Sequence, residues 1–342
     1  MTTLDPDRRS ALLGTKLRVL AGEQWDVGSD AVAGTFPAGA TLVDPSQSRG
    51  WILIEDGAER RLGGALAVAL RAGVSDLHLV IDDLEAAAIV ARRASAFRHP
   101  PQVWRSEGRK LVAVAPAPTA TDPAPAPVAE LYRPVLQAAG LQPVVEGGSL
   151  LGELLGLEVA RVVVEDDGTA RVEAGVGRFD REVGAMMFAH LAEHDSLARA
   201  VEIVAGYRVV GAQRHPLNTL VPERWLRATL LADPSLVGAA SLRPVGSAIP
   251  RQNLNEEGVA TAVGIDFQGR EIVVVCSTGV YLDLVPAAAD DRLTHAPGAR
   301  LLLALPEIDT APITADLAAL LSEPAELITV PGDWRNLAGG GV

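Results

Sequence analysis

A proline- and alanine-rich stretch, residues 116–127, divides the sequence into parts that we expect to fold separately. Proline has no backbone N–H to donate to a sheet, and it biases the chain toward an extended polyproline conformation. The stretch therefore predicts an N-terminal α/β domain over residues 1–115 and a middle α/β domain over residues 128–250. A C-terminal α/β unit is predicted over residues 251–335, and an alternative is that it packs with the middle domain as one body.

Apolar runs alternate with segments of helical periodicity on both sides of this stretch. In the first domain a strand pattern over residues 51–55 precedes a helical pattern over 62–72, and a continuous apolar run follows over 77–81. Asp82 and Asp83 then stand where a carboxylate can accept the free N–H groups of a helix N-terminus. This alternation predicts the α/β fold class, with two or three α/β units and mixed, largely parallel sheets.

Two segments of the middle domain have different patterns. Residues 128–155 are interpreted as two short helices, broken near Gly140 and at Gly147-Gly148, because glycine interrupts a helical pattern. Residues 234–250 are rich in turn-forming residues and are interpreted as a loop or a second linker.

Three segments share one plan of strand, turn, strand, helix and strand. They cover residues 41–81, 157–204 and 262–305. Repetition at a period of roughly one hundred residues predicts duplicated α/β units rather than a solenoid. The alternative interpretation is that any unit in which a helix connects two strands produces this pattern.

Acidic side chains recur at matching places in these segments. The middle segment has Glu158 on its first strand and Glu173 on its second. The first segment has Asp44 and Glu55 at the corresponding places. In the third segment Asp266 matches the first acid. Cys276 stands where the second acid would be.

This arrangement resembles the core of the PD-(D/E)XK nuclease superfamily. The resemblance implies a divalent metal, Mg²⁺ or Mn²⁺, held between the acids, and a lysine that orients the attacking water. The lysine position holds Gly57, Gly175 and Thr278 in the three segments, so the resemblance implies degenerate sites. Arg178 is the candidate to replace the lysine in the middle segment. A metal-dependent nuclease using that segment's two glutamates is the first alternative function.

A second motif predicts different chemistry. His190, Glu193 and His194 match the pattern H-x-x-E-H, and the segment therefore resembles the motif of inverted zinc peptidases. On a helix the two histidines lie on one face and can both reach zinc, with Glu193 as the general base. Glu271 is the candidate third ligand. The competing interpretation is that the histidines favour a helix C-terminus electrostatically and that Glu271 is the solvated start of a strand.

Side chains with directed hydrogen-bond donors collect in the middle domain, and guanidinium and amide groups are suited to recognising a polar ligand. The candidate binding residues are Arg178, Asp180, Arg181, His215, Asn218, Arg224 and Arg227. The alternative for the first three is ion pairing at helical spacing, and their functional interpretation is recognition of an anion or partner at a helix N-terminus.

The net charge of −13 and the single cysteine limit the classes of function. Proteins that grip nucleic acid non-specifically usually present a basic face, so nucleic acid is disfavoured as a partner. One cysteine cannot form an intrachain disulfide or a cysteine-rich metal site. The apolar runs are far shorter than a bilayer span, and the N-terminus lacks a signal-peptide core. We therefore expect a cytoplasmic protein that does not contact membranes.

The leading prediction is a non-catalytic binding or scaffolding protein built on degenerate nuclease-like units, with another protein as its partner. No cofactor is predicted apart from the Mg²⁺, Mn²⁺ or Zn²⁺ of the two alternatives. The sequence has no Walker-type loop, no G-x-G-x-x-G after a strand and no G-x-S-x-G elbow, which disfavours the commonest nucleotide-binding and hydrolase functions. The residue usage resembles that of actinobacterial-type proteins, which implies no activity.

Overall fold

The computed structural model describes residues 6–177, 193–211, 215–251 and 253–337. The chain divides into two compact units. Unit 1 comprises Met1–Thr119, Leu282–Asp290 and Ala311–Pro324, and unit 2 comprises Ala120–Tyr281, Asp291–Thr310 and Ala325–Val342. The boundary near residue 119 falls inside the predicted linker. The sequence-based domains differ in that two segments of the C-terminal part belong to unit 1.

The helices of the described residues are α1 (Pro6–Gln24), α2 (Leu62–Ala72), α3 (Leu84–Ala94), α4 (Pro127–Glu130), α5 (Arg133–Ala138), α6 (Glu193–Tyr207), α7 (Pro216–Thr219), α8 (Pro222–Ala232), α9 (Leu284–His295), α10 (Pro312–Ala319) and α11 (Trp334–Leu337).

The strands of the described residues are β1 (Val32–Phe36), β2 (Gly39–Asp44), β3 (Arg49–Ile54), β4 (Asp76–Ile81), β5 (Gln102–Glu107), β6 (Lys110–Ala113), β7 (Gln142–Glu146), β8 (Ser149–Leu154), β9 (Leu157–Val164), β10 (Ala170–Ala174), β11 (Ala239–Val245), β12 (Ala260–Asp266), β13 (Glu271–Cys276), β14 (Arg300–Pro306) and β15 (Ala325–Val330).

The predicted α/β fold class is confirmed. In unit 1 the described strands form one sheet in the order β1-β2-β3-β4-β5-β6, with parallel pairs at β3–β4 and β4–β5 and antiparallel pairs elsewhere. In unit 2 they form an antiparallel sheet, β10-β9-β8-β7, and a mixed sheet, β11-β12-β13-β14-β15. Antiparallel pairs are more frequent than the sequence suggested, because hairpins connect many neighbouring strands.

The mixed sheet of unit 2 repeats the first five strands of the unit 1 sheet. In both sheets two antiparallel pairs are followed by two parallel pairs. A parallel pair needs a crossover, and helices provide it: α2 and α3 in the first set, α9 and α10 in the second. The middle predicted repeat departs from this plan, since β9 and β10 belong to the antiparallel sheet.

The predicted second helix within residues 128–155 is wrong, because a hairpin occupies this position. After α4 and α5 the chain forms β7 and β8, which pair antiparallel from Gln142↔Glu153 to Glu146↔Ser149. Gly147 and Gly148 connect them with φ of 56° and 77°. Positive φ at both central residues is what a type I′ hairpin turn requires, so the glycines that suggested a helix break make a two-residue turn instead.

Residues 234–250, interpreted as a loop or second linker, contain an edge strand. Strand β11 pairs antiparallel with β12, with a register shift between Ala239 and Ser241. Pro244 lies within β11, and proline is tolerated on an edge strand because an outward-facing position needs no N–H donor. The proline content of this segment therefore indicated a sheet edge rather than an unstructured connection.

An aromatic cluster in the core of unit 1 surrounds His78 on β4. The ring centroids of Trp25 and Trp51 lie 4.4 and 5.8 Å from the imidazole. The indole Nε1 of Trp104 donates to His78 Nδ1 at 3.1 Å, which requires the proton to be on Nε2 in the neutral ring. His78 Nε2 lies 3.3 Å from the carboxylate of Asp76. Burial lowers the pKa of His78 below its ordinary value, and the Asp76 carboxylate offsets only part of that effect.

We expect the contribution of His78 to the stability of unit 1 to fall as the pH drops below about 6.5, the ordinary histidine pKa. In this range the unfolded chain binds a proton at His78 that the folded protein does not, so the contribution of this residue to the free energy of unfolding decreases with acidification. The measurement is urea denaturation followed by tryptophan fluorescence at pH 8 and pH 5.5. His78→Gln should lose less stability than the parent protein between pH 8 and pH 5.5, and an equal change in the two proteins would contradict the assignment.

Candidate functional site

Unit 2 contains a cavity of about 660 Å³ lined by charged side chains of both signs. The cationic lining residues are Arg161 on β9, Arg224 on α8 and Arg251 in the loop that follows β11, and the acidic ones are Asp122, Glu146 and Glu158. Its volume is within the range of small-molecule sites, about 300–1,000 Å³. The elements that place these charges decide what the cavity can hold.

A β-bulge in β9 places Glu158 beside Arg161. Gly152 on β8 pairs with Ala160, but Glu153 pairs with Glu158, so one residue of β9 is extra at this point. A bulge interrupts the ordinary alternation of side chains along a strand and so changes the direction in which they point. The Glu158 carboxylate accepts from Arg161 Nε at 3.0 Å and Nη2 at 3.1 Å, a bidentate pair.

Helix α8 supplies two buried cations, Arg224 and Arg227. The Nη2 of Arg224 contacts both oxygens of Glu146 at 2.8 Å, and its Nη1 donates to Glu153 at 3.1 Å. Arg227 lies three residues later on the same helix face and donates to Glu153 at 2.6 Å. Burial alone would lower the pKa of Arg224, but the two carboxylates raise it above its ordinary value.

The carboxylate of Glu146 is held in its ionised form. Burial alone would raise its pKa, but the guanidinium groups of Arg224 and Arg227 lower it below the ordinary range. An ionised carboxylate cannot donate a proton, so Glu146 can accept hydrogen bonds or attract a cation.

A tight turn fixes the β8–β9 hairpin against the first turn of α8. Leu155 and Gly156 have φ of 46° and 77°, the positive values of a type I′ turn. A Cβ on Gly156 would lie 2.2 Å from the carbonyl carbon of Arg224. Glycine is therefore required here for both its backbone conformation and its lack of a side chain, and the close approach brings Glu153 within reach of α8.

A second buried ion pair supports the same helix. Glu223 precedes Arg224, is almost fully buried and pairs with Arg251, which also donates to the backbone carbonyl of Glu256. Burial raises the pKa of Glu223 above its ordinary value, although the charge of Arg251 opposes this. The pair ties the loop that contains Arg251 to the N-terminus of α8.

The end of α9 fixes the cavity wall at residues 246–248. The ring of His295 contacts the carbonyl oxygen of Gly246 through Nε2 at 2.6 Å. One turn earlier, Asp291 accepts from Ser247 Oγ at 3.1 Å, from the Ala248 N–H at 2.6 Å and from Thr261. Burial raises the pKa of Asp291 to about 6.

Serine, histidine and aspartate meet at this wall, but their contacts differ from those of a hydrolytic triad. The Ser247 hydroxyl donates to Asp291 and accepts from the Ile249 N–H at 3.2 Å. The contact of His295 at this wall is with a backbone carbonyl. Activation of a serine requires the histidine to accept the hydroxyl proton. The arrangement therefore fixes a loop.

Of the predicted binding residues that the structure describes, two lie at or behind the cavity and two lie elsewhere. Arg224 lines the cavity, and Arg227 lies behind it on Glu153. His215 instead accepts the Leu217 N–H at 3.3 Å as the N-cap of α7 and stacks on Tyr207 with ring centroids 3.9 Å apart.

Asn218 also lies outside the cavity lining, and its amide donates to the carbonyl of Val209 at 3.4 Å. Arg178, Asp180 and Arg181 lie outside the described residues.

The acids of the nuclease alternative are each bound to arginine. Glu158 lines the cavity in its pair with Arg161. Glu173 lies on the edge strand β10 and accepts from Arg171 at 2.6 Å. Arg178, the candidate substitute for the lysine, lies outside the described residues.

The corresponding acids of the first and third segments have structural contacts. Asp44 accepts from the N–H groups of Gly28 and Ser46, and Glu55 pairs with Arg9 at 3.1 Å. Asp266 caps the β12–β13 turn, where it accepts the N–H groups of Gln268 and Arg270 at 2.9 Å.

The Asp266 carboxyl and the Cys276 thiol of the third segment have shifted pKa values. Burial alone would raise the pKa of Asp266, but hydrogen bonds from Arg270 lower it to about 2. Burial raises the pKa of Cys276 to about 12, so this thiol is protonated and inert at neutral pH.

The zinc alternative falls partly outside the described residues. His190 lies outside them, and of Glu193 and His194 the structure describes the backbone at the start of α6. Glu271 is exposed at the first position of β13. Among the described residues, no group of three or more His, Cys, Asp or Glu side chains is placed to hold a metal ion.

Sequence reasoning missed Asp122, Glu146, Glu153, Arg161 and Arg251. A signal was present for Glu153, because it interrupts an otherwise apolar run from residue 150 to 157. A carboxylate in a buried strand is costly unless a cation compensates it, so this position predicts a buried partner. The identity of that partner is not encoded locally.

Helices long and apolar enough to cross a membrane are absent from the described part of the chain. Comparisons of the chain with protein-family models, with curated proteins and with solved structures found no match.

Proposed function

We propose that this chain is a non-catalytic cytoplasmic binding protein that holds a small polar ligand in the cavity of unit 2. The observation that carries the proposal is a cavity of about 660 Å³ whose three arginines and whose acids Glu146 and Glu158 are fixed by ion pairs within the protein. Charges held in place before a ligand arrives cost less conformational entropy on binding. A protein partner, which the sequence favoured, is a separate prediction.

The chemistry of the lining favours binding over catalysis. Glu146 and Glu158 are each bound to an arginine, and Ser247 is hydrogen-bonded to Asp291. A general base must be able to accept a proton near the working pH, and Glu146, whose pKa is lowered by the neighbouring guanidinium groups, does so poorly. The same ionised groups are well suited to directed recognition of charged ligand groups.

We expect charged small molecules of metabolite size to raise the melting temperature of the protein, and the variant Ala248→Phe to abolish this response. Ala248 lines the cavity, so a phenyl ring there occupies ligand space while the backbone N–H to Asp291 is retained. A ligand at one hundred times its Kd adds about 2.7 kcal/mol of stability, which a thermal-shift screen detects.

The matched control is Ala240→Phe, which places the same ring on an exposed position of β11 in the same unit. It should respond to ligands as the parent protein does. A ligand response that survives Ala248→Phe would contradict the proposed site, and a screen without any stabilising compound would contradict the proposed function.

A further inference from the structure

The charged groups of the cavity differ in their remaining capacity to bind a ligand. Among the described arginines of the lining Arg161 is the most accessible, with 34% of its side chain exposed against 8% for Arg224 and 6% for Arg251. Its Nε and Nη2 donate to Glu158, and its Nη1 makes a long contact of 3.5 Å with Ser149. A guanidinium carries five N–H donors, so donors remain that can bind a carboxylate in the cavity.

Acceptor capacity remains at two of the acids. The oxygens of Glu146 share one nitrogen of Arg224, and 21% of this side chain is exposed. A carboxylate has about four acceptor positions, so Glu146 can accept further hydrogen bonds. Asp122, within the proline- and alanine-rich stretch, lines the cavity half-buried, and within the described ranges its carboxylate makes no ion pair.

A ligand of one charge sign would meet repulsion in this cavity. In the described part of the lining, an anion would face the carboxylates of Asp122, Glu146 and Glu158, and a cation would face the guanidinium groups of Arg161, Arg224 and Arg251. Removing a charge from water is compensated when a group of opposite sign receives it, and it is costly when groups of like sign surround it. In a ligand that carries both signs, each charged end can pair with a side chain of opposite charge.

We infer that the ligand is a zwitterion, in which a carboxylate is bound by Arg161 and a protonated amine is bound by Asp122 and Glu146. This inference rests on the proposed function. A single amino acid leaves much of a cavity of about 660 Å³ unfilled. A short peptide with free ends carries both charges at a size that fits, and its backbone can bond with the polar groups of the wall, such as the Ser149 hydroxyl.

The test is calorimetric titration of the full chain with trialanine, N-acetyl-trialanine and trialanine amide. We expect the peptide with two free ends to bind, and each capped peptide to bind at least tenfold more weakly. Asp122→Asn should weaken binding of the free peptide and leave binding of the N-acetyl peptide unchanged. Asp166→Asn, the same change at an exposed turn position of unit 2, should leave all three affinities unchanged.

The carboxylate end is tested with the double variant Glu158→Gln/Arg161→Gln, which removes both charges and leaves neither partner unpaired. It should weaken binding of free trialanine and leave binding of the amide unchanged. Equal binding of capped and free peptides would overturn the inference.

If no peptide binds while another compound binds in a manner that Ala248→Phe abolishes, the inference fails and the proposed function stands. If no compound responds to Ala248→Phe, both fail.

Discussion

Replacement of Glu153 by alanine is expected to lower the free energy of unfolding of unit 2 by about 3–5 kcal/mol. Glu153 is 3% exposed, and its carboxylate accepts hydrogen bonds from Arg224 at 3.1 Å and from Arg227 at 2.6 Å. Its removal leaves Arg227 with the backbone carbonyls of Val245 and Thr261, at 3.2 and 3.4 Å, and with no carboxylate in hydrogen-bond contact among the described residues. Breaking one side of a buried ion pair is costly because the remaining charge stays buried.

The measurement is urea denaturation followed by the fluorescence of Trp225 and Trp334, which pack together in the core of unit 2. The matched control is Glu165→Ala, which removes an exposed partner of Arg171 and should cost about 1 kcal/mol or less. If the two variants lose similar stability, Glu153 does not hold the buried network together.

Replacement of Asp290 by alanine is expected to have an effect of similar size, about 3–5 kcal/mol, on unit 1. The fully buried carboxylate of Asp290 accepts from Arg92 Nε at 2.9 Å and Nη2 at 2.8 Å, and from Arg93 Nε at 2.9 Å. Both arginines are buried on α3, so the variant leaves two cations in the interior without this acceptor.

Urea denaturation monitored by the tryptophan cluster around His78 reports on unit 1 for this variant. Glu107→Ala is the matched control, because Glu107 pairs with Arg105 on the surface of the same unit. A small effect of Asp290→Ala, equal to that of the control, would show that residues 282–290 contribute little to the stability of unit 1.

The fold class could be predicted because its signals are local. Apolar periodicity identified β3, α2 and β4 nearly at their observed bounds, since residues that face a core recur at the period of the element that carries them. The hairpin of β7 and β8 could not be separated from two broken helices on the same grounds. A glycine pair is compatible with a helix break or a type I′ turn, and the pairing partner decides between them.

The candidate site was less predictable than the fold. Arg224 and Arg227 stood out because their guanidinium groups offer directed hydrogen-bond donors. Both donate to Glu153, which lies 71 residues before Arg224 and 74 residues before Arg227. The intervening sequence does not indicate this pairing. The bulge that brings Glu158 to Arg161 likewise depends on the register of β9 against β8.

The sequence by itself determined the α/β fold class and the positions of locally encoded elements such as β3, α2 and β4. These features depend on backbone preferences and on the spacing of apolar residues, which act over a few positions. Tertiary structure alone decided that Asp290 completes unit 1, 198 residues beyond Arg92, and that Glu153 receives two arginines. The physical reason is that a buried charge is stable wherever the fold supplies an opposite charge, and sequence distance does not enter that energy.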